Sequence, residues 1–313
     1  MNQPNLDITN TFTLETLPDL DTVVLAALEL YQKEVPPQFT IKYKRPLVVG
    51  SGNAEVTGRI IFENTDAVFV SESSYEAKLM NIEAIDGVVL ISASGAKHAP
   101  IITKHAKELG KHVTLITTTK DSEAHALLDL NGGDEEYVFP KNREPYTYNT
   151  STYMGMIVGS TNEDIAKITS FIKSTIDSID FTRLAHYEKY YLIVPSEFSL
   201  ITRMLSIKFT ELFGRVIAHG VETSEQVKHA TTVVPSQELF ISFGAENILW
   251  GEEGSRMTIP LPEDVGYGAM MAIGYYVIGK IQKAHPPYFK QHIKEYTEQA
   301  SQVFNETISP IVE

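Results

Sequence analysis

The chain of 313 residues has no cysteine, one tryptophan and a shortage of positive charge. Without cysteine there is no disulfide, thiolate nucleophile, zinc–thiolate site or iron–sulfur cluster. Lys and Arg number 26 against 40 Asp and Glu, a formal net charge of −14. That balance argues against nucleic acid or an anionic membrane as partner, because both bind through excess cations. It still permits a small anionic ligand, which needs only a local cluster of donors. No apolar run approaches the ~18–20 residues of a membrane span. The opening residues, MNQPNLDITNTF, have neither a basic start nor an apolar stretch. No secretory leader is therefore expected, and a cytoplasmic location is the default. Spacings of the HExxH or DxDxDG kind are missing as well, so neither a metal nor a cofactor is expected.

What remains is an ordinary globular composition, 43% hydrophobic and 21% charged. At ~100–200 residues per domain the length suits two domains. Residues 1–16 are polar and read as loose. From Asp19 to Lys33 the apolar residues fall at helical spacing, and Pro36-Pro37 ends the helix. PLVVG (46–50), AVFVS (67–71), GVVLIS (87–92), HVTLIT (112–117) and EYVF (136–139) read as buried strands. Segments 54–63, 74–84, 98–109 and 122–129 read as the helices between them. Such alternation predicts a parallel sheet covered on both faces. Residues 140–160 read as a polar crossing segment and 161–180 as one long helix. A second pattern follows, with strands at 190–194, 216–220, 238–243 and 256–262. Helices are expected at 199–214, 266–284 and 286–306. The expected fold is α/β: an N-terminal helical segment (1–40), then two flavodoxin-like subdomains (41–158 and 159–313).

Two strand-to-helix turns could carry chemistry. In VVGSGN (48–53), Gly50 and Gly52 let the backbone turn sharply, and Asn53 opens a helix whose amides could face an anion. The third glycine of a dinucleotide fingerprint is missing, and no GK[ST] follows. In ISASGAKHAP (91–100), Ser92 and Ser94 bring hydroxyls, Gly95 relieves the turn and Lys97 adds a cation. Hydroxyls, amides and a cation together suit a phosphate monoester. Helix capping by Ser94 is the plainer alternative.

These residues resemble the SIS (sugar isomerase) domain family. The likeness runs through Ser92-Ala93-Ser94-Gly95, the A-x-x-x-G from Ala106 to Gly110 that ends the next helix, the HVTLIT strand and Thr118 to Ser122. In that family the serines hold the phosphate of a phosphosugar. Lys97 stands where the family usually has Thr, and Ala54 where the first loop often has Ser. The second half is similar to the double-SIS isomerases, such as the isomerase domain of glucosamine-6-phosphate synthase and the bifunctional phosphoglucose/phosphomannose isomerases. There Lys208-x-x-Glu211 and Lys228-His229 match the segments that carry the catalytic groups, with Ala230 in place of a glycine.

The resemblance implies aldose–ketose isomerisation through a cis-enediol, which needs a base to move a proton between C1 and C2. A carboxylate on an apolar helix suits that role, and Glu211 is the candidate. Lys208, at i−3, could tune it or bind a sugar oxygen; a surface ion pair is the bland alternative. His229 is the candidate for ring opening, with His219 as its rival. In several relatives this histidine comes from the neighbouring subunit, which implies a homodimer with a shared active site. Thr147, Asn149 and Thr150 fall where the family carries a loop beside the phosphosugar, and Lys290 lies in a tail that contacts substrate in the synthase. Three readings stay open. The first is a hexose 6-phosphate isomerase. The second is an aminosugar- or fructosamine-6-phosphate deaminase or deglycase, and the third a non-catalytic phosphosugar sensor.

Overall fold

The computed structural model describes residues 4–40, 42–230 and 236–313. Pro4–Thr11 forms α1 and Leu20–Lys33 forms α2. The segment read as loose is thus partly helical. A helix start leaves amides without partners, and here a remote carboxylate takes them. Glu29 accepts from the backbone of Asn5 at 3.0 Å and of Leu6 at 2.9 Å. A partner 23 residues away leaves no local periodicity to read.

The first sheet follows: β1 (Pro46–Val49), α3 (Asn53–Ile61), β2 (Val68–Val70), α4 (Tyr75–Asn81), β3 (Gly87–Ile91), α5 (His98–Glu108), β4 (His112–Thr117) and β5 (Glu135–Val138). Its order is β2-β1-β3-β4-β5, parallel throughout, with Leu47 registered against Val68 and Val88. Leu47, Val49, Val88, Leu90, Val113 and Leu115 share a core with Leu79 of α4 and Ile102 and Ala106 of α5. The helix expected at 122–129 shrinks to a 3-10 turn, His125–Leu127.

The supposed crossing segment contains a two-residue strand, β6 (Glu144–Pro145), and a full helix, α6 (Thr150–Thr161). Met154, Met156, Ile157 and Val158 of α6 are all buried. A helix buried all round has no polar face, hence no amphipathic period to detect. The next helix, α7 (Ile165–Ser174), starts afresh at Asp164, whose carboxylate caps the amides of Ala166 and Lys167 at 2.9 and 3.1 Å.

The second sheet is built from β7 (Lys189–Val194), α8 (Ile201–Phe213), β8 (Ala218–Thr223), α9 (Ser224–His229), β9 (Leu239–Phe243) and β10 (Arg256–Ile259). Two long helices come after it, α10 (Tyr267–Ala284) and α11 (Tyr288–Phe304). A last strand, β11 (Ile311–Val312), pairs antiparallel with β6. The sheet order β10-β9-β7-β8 is parallel. Counted from its own first strand it repeats the order of the first sheet. Each sheet therefore reverses winding beside its first strand, at β1/β3 and at β7/β9, the place where such folds seat ligands. Among the described residues no helix is long and apolar enough to cross a membrane.

The chain divides into two compact units that alternate along the sequence. One holds the first sheet, as Lys33–Lys141 and Ser151–Glu163. The other holds the second sheet, as Met1–Gln32, Asn142–Thr150 and Asp164–Glu313. The expected boundaries at 40 and 158 follow sequence order. The contacts instead place α1, α2 and the 142–150 segment with the second sheet.

Candidate active site

In the first unit, the loop after β3 stands at the sheet's reversal point. Its backbone is pinned at Ala93, whose carbonyl accepts from Thr118 N at 3.1 Å and from the hydroxyls of Thr117, Thr118 and Thr119 at 2.9–3.2 Å. Ser92 Oγ accepts from Gly95 N at 3.2 Å, and Ser94 Oγ from Ala96 N at 3.3 Å. A hydroxyl can accept and donate at once, so both serines can brace the loop and still donate to an anion. Gly95 has φ +60°, and a Cβ there would stand 2.3 Å from Ser122 Oγ. Thr117 and Thr119 are supporting residues that motif reading passed over beside Thr118; the TTT run that closes β4 is their signal.

Lys97, at the start of α5, has φ 55° and ψ −105°. Gly52, at the start of α3, has almost the same backbone, φ 56° and ψ −121°. A non-glycine residue held there is strained by about 1–3 kcal/mol. Asn53 is buried beside that turn, and its side-chain oxygen has no partner among the described residues.

In the second unit the chemistry gathers on α8. Ile201, Met204, Leu205, Lys208, Phe209 and Leu212 are its buried stripe. Lys208 occupies a position on that stripe where an apolar residue is the rule. Its side chain is 0% exposed, against 25% for Glu211, so the pair is no ordinary surface bridge. Burying an ammonium costs several kcal/mol unless its donors are satisfied. Here Nζ donates to Thr147 O at 2.6 Å, Tyr148 O at 2.7 Å and Glu211 Oε2 at 2.6 Å. The Tyr275 ring centroid lies 5.3 Å from Nζ.

The two carbonyls belong to an unusual turn. Thr147 has φ 71° and Asn149 φ 45°. For a β-branched residue such as threonine the left-handed region is a true outlier. Several contacts hold the turn. Glu144 accepts from Thr150 N at 2.6 Å, and Tyr146 N donates to Pro310 O at 2.9 Å. Tyr148 is wholly buried; its hydroxyl donates to Pro18 O at 3.1 Å and accepts from Gln282 at 2.9 Å. The hydroxyl oxygens of Thr147 and Thr150 are buried without a partner among the described residues. Tyr146 is a further group that motif reading missed. Burial, then the charges of Glu211 and Glu306, hold its phenolic proton more tightly than usual.

Among the described residues, no hydrogen bond or ion pair joins the remaining candidates to Lys208 or Glu211. His229 ends α9, its side chain 74% exposed, with Nε2 3.9 Å from Glu225. His219 lies on the edge strand β8, stacked on Phe209 at 4.8 Å with Nε2 3.3 Å from Ser206 Oγ. Burial, aided by the Arg215 charge, lowers its proton affinity. Lys290 pairs with Asp19 at 2.7 Å. Among the described residues, two of this unit's crevices are lined by neither Lys208 nor Glu211. One, of about 870 Å³, lies by the amino ends of β7 and β10, next to Lys189 and Ser255.

No protein-family model and no curated protein sequence matches the chain. Solved structures do. Tagatose-6-phosphate ketose/aldose isomerase from Escherichia coli is similar with a TM-score of 0.57 at 12% identity, covering 90% of this chain and 93% of its own. Glucosamine-6-phosphate deaminase from Thermotoga maritima gives 0.57 at 14%, covering 85% and 92%. The C-terminal domain of glucosamine-fructose-6-phosphate aminotransferase from Francisella tularensis gives 0.50 at 13%, covering 92% and 95%. The architecture is the two-subdomain SIS fold seen in phosphosugar isomerases. At such identities the likeness defines the fold alone.

Proposed function

We propose that this protein is a phosphosugar aldose–ketose isomerase acting on a hexose 6-phosphate through a cis-enediol. Ser92, Ser94, Gly95 and Lys97 take the phosphate, with Gly52 and Asn53 on the adjoining turn. Glu211 carries the proton between C1 and C2. Thr147, Asn149 and Thr150 offer donors to the sugar. The observation that carries the reading is the Lys208–Glu211 pair at 2.6 Å, an ion pair whose lysine is set into the apolar stripe of a helix. Building a buried cation there is costly, and functional sites are where such costs are retained. For ring opening, His229 is the histidine proposed, given from a second subunit in a homodimer; its exposure suits a role at a subunit boundary.

The test is Glu211→Gln. Removing a general base costs typically 10²–10⁴-fold. Isomerisation of fructose 6-phosphate is expected to fall by that factor, with binding of the sugar phosphate kept within about threefold. Full activity in the variant would rule out Glu211 as base. Release of ammonia from glucosamine 6-phosphate, without isomerisation, would select the deaminase reading.

A further inference from the structure

The Lys208 ammonium has three N–H bonds. Thr147 O, Tyr148 O and Glu211 Oε2 take one each, at 2.6, 2.7 and 2.6 Å. No donor is left for a sugar oxygen, and the wholly buried side chain presents no surface to one. We infer that Lys208 is a positioning residue: a clamp that locks Glu211 to the left-handed turn at Thr147–Asn149 and never touches the substrate. This rests on the isomerase reading and goes beyond it.

The argument runs through the backbone. Thr147 and Asn149 occupy a conformation that a free chain leaves readily, at φ 71° and 45°. Strain of this kind persists only where the surroundings over-determine it. One cation bonded to two successive carbonyls supplies that constraint. Its third bond fixes one oxygen of Glu211 and leaves Oε1 outside the clamp. The base and the turn thus share one anchor. Displacing a reacting group by about 1 Å can cost about 10²-fold in rate, so loss of the anchor acts on turnover more than on binding.

Two measurements decide it. In the wild-type protein, the Lys208 ammonium is expected as a slowly exchanging 15Nζ signal coupled through its hydrogen bonds to the carbonyl carbons of Thr147 and Tyr148. Saturation with fructose 6-phosphate is expected to leave that signal in place. A large shift on saturation, or a coupling to the sugar phosphate, would overturn the clamp. The second measurement uses Lys208→Met, which fills the space without a charge. Its kcat is expected to fall about 100-fold with KM within threefold, and the Thr147 and Asn149 backbone shifts are expected to leave the left-handed range. A KM rise equal to the kcat loss, or unchanged shifts at both residues, would contradict the inference. If Lys208→Met fails to fold, the wild-type spectrum decides alone. If the wild-type protein shows no isomerase activity, the proposed reaction fails while the spectra still decide the clamp.

Discussion

The carboxyl edges of the two sheets share a topology and differ in chemistry. At the first, between β1 and β3, the loops carry Ser92, Ser94, Lys97 and a glycine-type turn at Gly52. At the second, between β7 and β9, the chain continues with Pro195, which has no amide N–H to give an anion. The crevice there holds about 720 Å³ and is lined by Ile193, Pro195, Val227, Phe243, Leu261 and Val265. Its charged lining is Glu197 and Glu246 against Lys228. Topology supplies a place for a ligand at both edges, and the proposed phosphate-binding residues stand at the first. The base and sugar donors proposed for the second unit lie elsewhere, on α8 and the 144–150 turn. The proposed division of labour is therefore binding in the first unit and proton transfer in the second.

That division can be broken from either side. On the binding side, Ser92→Ala with Ser94→Ala is expected to have the largest effect. Hydrogen bonds to a charged group are worth about 1.5–3 kcal/mol each, so each loss weakens affinity roughly 10- to 100-fold. Titration calorimetry with fructose 6-phosphate should show this, with kcat at saturation little changed. A collapse of kcat with affinity intact would reverse the assignment of the two units.

A sharper comparison uses one position. Lys97→Ala removes the cation and keeps the strain, whereas Lys97→Gly removes both. Both are expected to lose affinity equally, by roughly 10-fold for one exposed charge–phosphate contact. Only the glycine variant should melt higher, by a few degrees, for about 1 kcal/mol of strain relieved. Equal melting temperatures would mean that the Lys97 backbone costs nothing.

The smallest effect is expected in the second unit. Burial lowers the proton affinity of His219 and of His285 below the ordinary value of 6.5. The unfolded chain then takes up protons first as pH falls below 6.5, so stability drops on the acid side. Above 6.5 both states are neutral and the contribution is complete. Urea titrations between pH 7 and pH 5 should show the loss, and His219→Phe should make it shallower. An unchanged slope in the variant would remove His219 from the account.

The legible parts of the molecule were those with a period. Buried strands such as GVVLIS and the stripe of α8 announce themselves, and so do the strand-to-helix turns at Gly52 and Ser92–Lys97. Lys208-x-x-Glu211 could be seen as a pair at helical spacing. That its lysine lies on the apolar stripe with Leu205 and Leu212 was there to be read, and it separates a buried clamp from a surface bridge. Other features had no local signal. The α6 helix lacks a polar face, and α1 is held by Glu29 from far along the chain. The strand β11 matters only through its pairing with β6. The carbonyl of the left-handed Thr147 is held by Lys208, 61 residues away in sequence. Nothing in the residues around the threonine suggests it.

Hydrogen exchange in D2O tests the central claim most directly. The protein would be incubated with glucose, mannose, fructose and glucosamine 6-phosphates, and the C2 proton (C1 for fructose) followed by NMR. Loss of that signal with at least one sugar is the expected result, because a base that forms an enediol must trade its proton with solvent. Retention of every signal, by a protein that these sugars nevertheless protect against heat, would contradict the isomerase and leave a phosphosugar-binding protein in its place.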